Sequence, residues 1–395
     1  MARADEFPEF EKGFGDNQGM TAADKAETEL DRLKIGGTFW NEFQYLQLNP
    51  AAATGDTLAD PSTLWVYLDS HLKNDIRAYG RIKLVYDPTA GSPNPLSGLV
   101  SPKYSSDLEE LKLNFNVQKK VFFTVGKQKI KWGSGQFWNP TDFLNSQFRN
   151  FLYLQDLRSG VSLIKTHVPV GSSNFYLVNE LDHASRVADI THAVRAEVPV
   201  WKGEVALSAA VKRGTEPKLG VDVSTAVGDF DAYGEFAYSA GNDATFFGLT
   251  GPFTDPTRKT TDWVAGLSYE MPYGDNDSII LAAEYYHNEL GYASVASYPL
   301  VFAGGGYQPF HLGREYGMFM VQLPNPGSWN HFTLSLFNLG NLSDHSFMTR
   351  ADALFIVMSD LKIDVAAGVH YGAGDGEFKI GDQRLDAEVR LMVDF

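Results

Sequence analysis

Charged side chains recur at every second position in several segments whose intervening positions are apolar. In residues 76–86, Arg77, Arg81 and Lys83 share one parity, and isoleucine, alanine and leucine occupy the other. Successive side chains of a strand point to opposite faces, so such a segment has a charged face and an apolar face. Charges fixed on a wall in this way can bind, orient or repel ions and polar solutes.

The same parity argument places further charged residues on the wall of a water-filled space. Basic residues come from the early segments and acidic residues from the middle ones. The predicted pore-lining set is Arg77, Arg81, Lys83, Lys112, Glu197, Asp222, Asp231, Glu235, Glu270 and Glu284. One hypothesis is a field across the pore that selects solutes by charge. The alternative is that these charges pair with their neighbours and stay hydrated.

No arrangement of residues predicts catalysis. His167, His183, His192 and His287 are scattered near predicted strand ends, where a solvated histidine is the simpler interpretation. The acidic loops at 274–277 and 372–377 lack a complete spacing of calcium ligands, so they are interpreted as turns. We predict no enzyme activity, no metal site and no cofactor.

Composition narrows the class of protein. Cysteine is absent, which excludes disulfides, thiolate metal sites and covalent c-type haem attachment. A net charge of −16 argues against nucleic acid as a partner. The chain has 27 Phe, 18 Tyr, 7 Trp and 37 Gly, a mixture common in antiparallel barrels.

The elements that would hold the charged wall are strands. No segment reaches the roughly 20 apolar residues of a spanning helix, but barrel strands hide their hydrophobicity in a two-residue period. Alternation predicts about eighteen strands, with sixteen possible. They lie near residues 36–48, 62–72, 76–86, 108–118, 121–131, 158–168, 174–182, 190–199, 203–213, 218–227, 229–239, 261–271, 278–288, 315–323, 329–338, 346–357, 361–371 and 385–395.

The connections between these strands are alternately short and long. Short ones include 73–75 and 119–120, whereas 87–107, 132–157 and 289–314 are long. Up-and-down barrels of bacterial outer membranes have tight periplasmic turns and extended external loops. The pattern therefore predicts an all-β, transmembrane, antiparallel up-and-down barrel over residues 35–395.

Residues 1–34 form a separate predicted unit. Thr21 and Asp24 have the spacing of a capping box, which predicts a short helix up to about Lys34. This segment is expected to be periplasmic or to plug the lumen. The polar start after Met1–Ala2 is expected of a form from which any export signal has been removed.

Two segments resemble known outer-membrane proteins. Residues 385–395 alternate, except at Met392, up to a terminal phenylalanine, which resembles the closing strand of outer-membrane barrels. Residues 125–143 contain Gly-x-Gln, Trp-Gly-x-Gly and Asn-Pro-x-Asp, a pattern similar to a segment of Gram-negative porin-like families that include the alginate-export type. The matching positions are Gly126, Gln128, Trp132, Gly133, Gly135, Asn139, Pro140 and Asp142. The resemblance implies a strand followed by a loop packed inside the barrel.

The residues of this loop fit an inward bend. Gly133 and Gly135 permit a sharp turn, and aromatic side chains can anchor the loop against the wall. The predicted constriction loop, 127–157, carries Lys127, Lys129, Lys131, Trp132, Gly133, Trp138, Asp142 and Arg149. The alternative is an external loop whose lysines meet solvent or lipopolysaccharide phosphates.

The sequence thus favours a passive channel for small polar solutes or ions in the bacterial outer membrane. Its expected partners are membrane lipid, lipopolysaccharide and small solutes. Two alternatives stay open. One is a specific transporter of apolar or aromatic compounds, and the other is a barrel that surrounds a multihaem cytochrome partner or binds another periplasmic protein.

Overall fold

The computed structural model describes residues 33–48, 56–72, 75–91, 102–145, 147, 149–150, 152–153, 156–182, 184–248, 251–273, 277–327 and 329–395. The predicted N-terminal helix lies outside these residues except at its last two positions. Leu33 and Lys34 belong to the first strand, so the strand begins earlier than the sequence pattern indicates. Among the described residues, no helix is long and apolar enough to cross a membrane.

Nineteen strands of the described chain form one sheet that closes on itself. The wall consists of eighteen of them, since one short strand, β2 (Thr57–Ala59), only extends the pairing of the first strand. The wall strands are β1 (Leu33–Leu48), β3 (Ser62–Leu72), β4 (Ile76–Tyr86), β5 (Tyr104–Val117), β6 (Val121–Gln128), β7 (Val161–Val170), β8 (Ser173–Glu180), β9 (Thr191–Val200), β10 (Gly203–Val211), β11 (Lys218–Val227), β12 (Phe230–Ser239), β15 (Thr260–Tyr273), β16 (Asp277–His287), β17 (Glu315–Pro324), β18 (Phe332–Asn341), β19 (Ser346–Met358), β20 (Leu361–Gly372) and β21 (Gln383–Asp394).

Three further strands lie outside the wall. β2 (Thr57–Ala59) pairs with the far end of β1, while β13 (Thr245–Gly248) and β14 (Gly251–Thr254) form a hairpin in a loop. A short helix, α1 (Tyr298–Ala303), lies in the loop between β16 and β17. These additions all lie at the end of the barrel where the long loops are.

The barrel closes between its first and last strands. β21 pairs antiparallel with both β20 and β1, with Arg390 opposite Asp364 on one side and Glu42 on the other. Neighbouring strands are antiparallel around the whole ring. The all-β closed barrel predicted from the sequence is therefore the fold.

Alternation divides the wall into two faces. The outer face is apolar and exposed over its circumference, as expected of a surface that meets an apolar environment. Examples are Phe39, Leu68, Leu111, Phe175, Leu207, Phe236, Leu267, Phe319, Leu336 and Val389. The inner face carries the buried polar and charged side chains. This arrangement, polar inside and apolar outside, is the reverse of that in an ordinary globular sheet protein.

Candidate functional site

The connection from β6 to β7, residues 129–160, passes through the interior of the barrel. Ile130, Trp132 and Leu144 pack against small or apolar inner-face residues of β7 to β10, including Ala193 and Ala210. A methyl group at Gly220 would contact Thr141 and Phe143 of the loop. Small residues on the inner face thus make room for this segment, which we call the inward loop.

Glu235, on the inner face of β12, is the first anchor of the inward loop. Its carboxylate accepts hydrogen bonds from Gly135 N (2.6 Å), Asn139 Nδ2 (2.9 Å) and Thr141, through both N (3.1 Å) and Oγ1 (2.8 Å). The side chain is 3% exposed. A buried carboxylate must be stabilised by donors, and here the loop supplies them.

Glu284, on β16, is the second anchor. Its oxygens accept hydrogen bonds from three successive backbone N–H groups of the loop, those of Gln136 (2.9 Å), Phe137 (3.2 Å) and Trp138 (2.8 Å). Tyr233 on β12 donates its hydroxyl to the same carboxylate at 2.8 Å. Both acidic residues were predicted to line the pore, but their charges are directed to the loop backbone.

The sequence motif explains why the loop can approach Glu235. Gly133 has a φ of +100°, and its missing side chain leaves the space that the Glu235 carboxylate occupies. Asn139 bridges Gly135 O (2.7 Å) and Glu235, and Asp142 accepts a hydrogen bond from Trp132 N at 3.3 Å. The motif residues therefore shape the bend and hold it on the wall.

The loop also contacts the opposite wall. Tyr153 stacks on Trp40 of β1 at a ring distance of 6.4 Å, and the Arg390 guanidinium lies 4.6 Å from the Tyr153 ring. Arg158 pairs with Asp142 at 3.0 Å and Asp156 at 2.7 Å. The loop is thus attached to β12 and β16 on one side of the barrel and contacts β1 on the other, so it crosses the lumen.

Three cations of the inward loop donate hydrogen bonds to carbonyl oxygens. Lys129 bonds to Asp156 O (2.8 Å), Lys131 to Gly135 O (3.1 Å) and Arg149 to Gln136 O (2.8 Å). The Nε atom of Arg149 is buried without a hydrogen-bond partner among the described residues. Burial, and then the nearby Arg149 charge, lower the pKa of Lys131.

One residue assigned to this loop lies elsewhere. Lys127 is part of β6, opposite Leu111 of β5, and its ammonium group pairs with Asp107 at 3.3 Å. Alternation along β6 continues through Lys127, so its side chain does not join the inward loop. The other predicted loop residues, Trp132, Gly133, Trp138, Asp142, Lys129, Lys131 and Arg149, all lie in the segment that enters the lumen.

The predicted basic residues of the wall have acidic neighbours. Arg77 pairs with Asp69 at 2.7 Å. Arg81 pairs with Glu109 at 3.3 Å, and Lys112 pairs with Glu110 at 2.6 Å. Lys83 instead lies over the Trp65 ring at 5.5 Å. Because most of these charges are compensated locally, the geometry favours the pairing hypothesis over a field across the pore.

The remaining predicted acidic residues differ in setting. Asp222 and Glu197 both pair with Arg195, at 2.7 Å and 2.8 Å. Asp231 and Glu270 are exposed near the barrel end that has the short turns. Of the acidic residues predicted to line the pore, only Asp231 and Glu270 face water, as the alternation pattern alone suggests for all of them.

The alternation pattern does not predict two buried carboxylates, because β5 contains a bulge. Its register with β4 shifts between Arg81 and Ile82, so Glu109 and Glu110 are both buried although they are adjacent. Glu109 accepts a hydrogen bond from Trp65 Nε1 at 2.9 Å. Two consecutive glutamates next to a leucine could have signalled this irregularity.

A cavity of about 520 Å³ lies between the inward loop and the long loops. Its lining combines aromatic rings with charged groups. It includes Phe137, Phe143, Phe246, Tyr286, Tyr292, Arg149, Arg158, Lys218, Asp243 and Asp262. A polar solute with an apolar part could therefore find both kinds of contact there.

Comparison with known proteins identifies the fold. Neither a protein-family model nor a curated protein sequence matches the chain. Among solved structures, OccAB1 of Acinetobacter baumannii is similar with a TM-score of 0.61 and 11% identity, over 92% of this chain and 97% of that one. A BenF-like porin from Pseudomonas fluorescens Pf-5 has a TM-score of 0.58 and 11% identity, over 92% and 99%.

A third similar structure is the outer membrane protein opdK from Pseudomonas aeruginosa, with a TM-score of 0.57 and 7% identity over 92% of this chain and 98% of that one. At these identities the likeness establishes a shared barrel architecture. The sequence resemblance to the alginate-export type stays a prediction.

Proposed function

We propose that the protein is an outer-membrane channel through which small polar solutes or ions diffuse passively, with the inward loop as its constriction. The observation that carries this proposal is a closed barrel, apolar outside and charged inside, whose lumen is crossed by one anchored loop. The apolar outer face would contact membrane lipid, with lipopolysaccharide at the end of the long loops. No catalytic step is needed for this function.

Planar-bilayer recording of the purified full chain tests the proposal. A channel gives discrete conductance steps that scale with salt concentration, and vesicles containing it swell in small sugars. Protein that is folded by circular dichroism but gives no steps and no swelling would contradict the proposal.

A second candidate function is uptake of a specific aromatic or apolar compound, favoured by the aromatic lining of the cavity. Swelling assays with small sugars against uptake of an aromatic carboxylate separate the two. A general channel admits solutes according to size, whereas a specific one admits the aromatic compound faster than a sugar of equal mass.

The alternative in which the barrel surrounds a cytochrome is less well supported. A multihaem partner needs a wide lumen. Here the inward loop crosses the interior, from Glu235 on one wall to Trp40 on the opposite wall. A haem Soret absorption band in material purified from the native membrane would support that alternative instead.

Arg149 is expected to influence ion selectivity. It lines the cavity, and its guanidinium has no carboxylate hydrogen-bond partner among the described residues. Replacing it by alanine should shift the permeability ratio towards cations by roughly two- to fivefold, because a fixed positive charge next to the path is lost. Reversal potentials in a salt gradient measure this ratio.

Arg186→Ala is the matched control, since Arg186 is a solvent-exposed arginine that pairs with Asp189 outside the cavity. It should leave the reversal potential unchanged. An unaltered ratio in Arg149→Ala would exclude Arg149 from the permeation path.

A further inference from the structure

We propose that loop 288–314 is a movable cover over the lumen cavity and that Glu377 holds it closed in a proton-dependent manner. This inference rests on the proposed channel function and adds a regulatory element to it. The loop contributes Val301, Gln308 and Leu312 to the cavity lining, so its position determines how far the cavity opens.

Glu377 lies in loop 373–382 and is 3% exposed. Its carboxylate joins three parts of the protein. It accepts hydrogen bonds from Phe310 N of the cover (2.8 Å), from Tyr316 Oη of β17 (2.6 Å) and from Asn341 Nδ2 of β18 (3.0 Å). Burial and the nearby Glu377 carboxylate raise the pKa of Tyr307 of the cover.

The held segment of the cover reaches the constriction. Phe310 has a φ of +65°, a conformation unfavourable for a bulky residue, and its carbonyl accepts a hydrogen bond from Trp138 Nε1 at 3.1 Å. Its ring stacks on Phe378 at 6.1 Å. Glu377, Phe310 and the inward loop are thus linked by consecutive contacts.

Asp344 fixes the base of this arrangement. Its Oδ2 atom accepts hydrogen bonds from Glu377 N (2.8 Å) and from Tyr298 Oη of helix α1 (3.0 Å). Its Oδ1 atom accepts from Ser346, through N at 2.9 Å and Oγ at 2.6 Å. Asp344 therefore provides a second link between loop 373–382 and loop 288–314, through helix α1.

The charges near Glu377 make its ionisation costly. Among the described residues no cation pairs with its carboxylate, while Asp344 lies against its backbone. The other titratable groups packed around it are Tyr298, Tyr307, Tyr316, His311 beside Phe310, His370 bonded to Phe378 O and Asp386, and Lys379 beside Asp382.

Burial raises the pKa of Glu377 from 4.5 to about 7 in this closed arrangement. In an open cover the carboxyl would meet water and its pKa would return towards 4.5. The closed form then binds the proton more tightly, so acid favours closure and this preference is lost as the pH rises through about 7. From pH 5.5 to pH 8 the ratio of closed to open channels should fall by up to roughly 30-fold.

The experiment records conductance at pH 5.5 and pH 8 for the full chain and three variants. The wild type should have a higher open probability at pH 8. Glu377→Gln mimics the protonated form and should stay mostly closed at both pH values. Glu377→Ala loses the attachment and should be open at both, whereas Asp375→Asn, an exposed position in the same loop, should behave as wild type.

A labelling readout makes the cover testable apart from conduction. Since the chain has no cysteine, Val301→Cys places one thiol at a position buried in the closed cover, and Ala296→Cys places one at an exposed position nearby. The ratio of their maleimide rates should rise severalfold from pH 5.5 to pH 8, and Glu377→Gln should abolish that rise.

The outcomes separate the two proposals. A pH-dependent labelling ratio without conductance supports the cover and contradicts the channel. Steady conductance with a pH-independent ratio supports the channel and overturns the cover. A pH dependence that persists in Glu377→Gln would assign the effect to another group and overturn the role proposed for Glu377.

Discussion

Replacing Glu235 and Glu284 together by alanine is expected to raise the single-channel conductance roughly two- to fivefold, because the inward loop would leave its position across the lumen. Seven donor groups of the loop bond to these carboxylates, four to Glu235 and three to Glu284. A hydrogen bond to a charged group contributes about 1.5–3 kcal/mol, so the double variant loses the dominant attachment of this segment.

The matched control is Asp231→Ala with Glu270→Ala, which removes two carboxylates of the same inner face from β12 and β15. Both are exposed near the short turns, and among the described residues neither carboxylate hydrogen-bonds to the inward loop. This control should keep the wild-type step size. Wild-type conductance in a correctly folded Glu235→Ala/Glu284→Ala barrel would mean that the loop does not limit the current.

Glutamine at the same two positions should give an intermediate result. A glutamine keeps the shape and one acceptor oxygen, but its amide group would face loop N–H donors that need an acceptor. Step-size fluctuations should therefore increase more than the mean conductance does. Equal conductance in the glutamine and alanine variants would indicate that shape contributes nothing to the attachment.

The strands were accessible to sequence reasoning because their signal is local. In β20, apolar residues such as Ile363, Val365 and Val369 alternate with polar or small ones, and the observed strand, Leu361–Gly372, differs from the predicted 361–371 by one residue. Closure follows from the same information. A chain of hairpins with apolar outer faces has two free edges, and pairing β1 with β21 removes both.

The site was less accessible because its contacts are remote in sequence. The glycines of the motif predict a bend, but the group that fills their space, Glu235, lies about 100 residues further on. The alternation pattern correctly places Glu235 on the inner face. It cannot distinguish a carboxylate that is hydrated from one that accepts hydrogen bonds from a loop. The same limit applies to Glu377, which was interpreted as part of an ordinary turn and is buried.

The ion pairs of the inner face are the second feature that the sequence pattern does not predict. Arg77 and Arg81 share a sign and a parity, but the acidic partner of each lies on a neighbouring strand. The partner of Lys112, Glu110, lies two residues earlier on β5 itself. Predicting those partners requires the register of each strand pair, and the bulge in β5 shifts that register by one residue. One shifted residue adds Glu109 to the inner face.

The closing strand gives the other large expected effect. Arg390 of β21 is 3% exposed and bonds to carboxylates on three strands. They are Glu42 of β1 at 2.7 Å, Asp364 of β20 at 3.0 Å and Glu388 of β21 itself. Its guanidinium also lies 5.3 Å from the Trp40 ring. Replacing Arg390 by alanine should lower the free energy of unfolding by about 3–5 kcal/mol, because buried carboxylates lose their counter-charge at the seam.

Urea unfolding in lipid vesicles, followed by tryptophan fluorescence and by mobility on a cold gel, measures this change. Arg186→Ala again serves as the control, since its ion pair is exposed and such pairs contribute about 0–1 kcal/mol. Acid should partly rescue Arg390→Ala, because protonation of the unpaired carboxylates removes their mutual repulsion. If Arg390→Ala unfolds at the wild-type urea concentration, the seam is held by the backbone pairing of β1 with β21 alone, and the charges around Arg390 would instead serve the lumen.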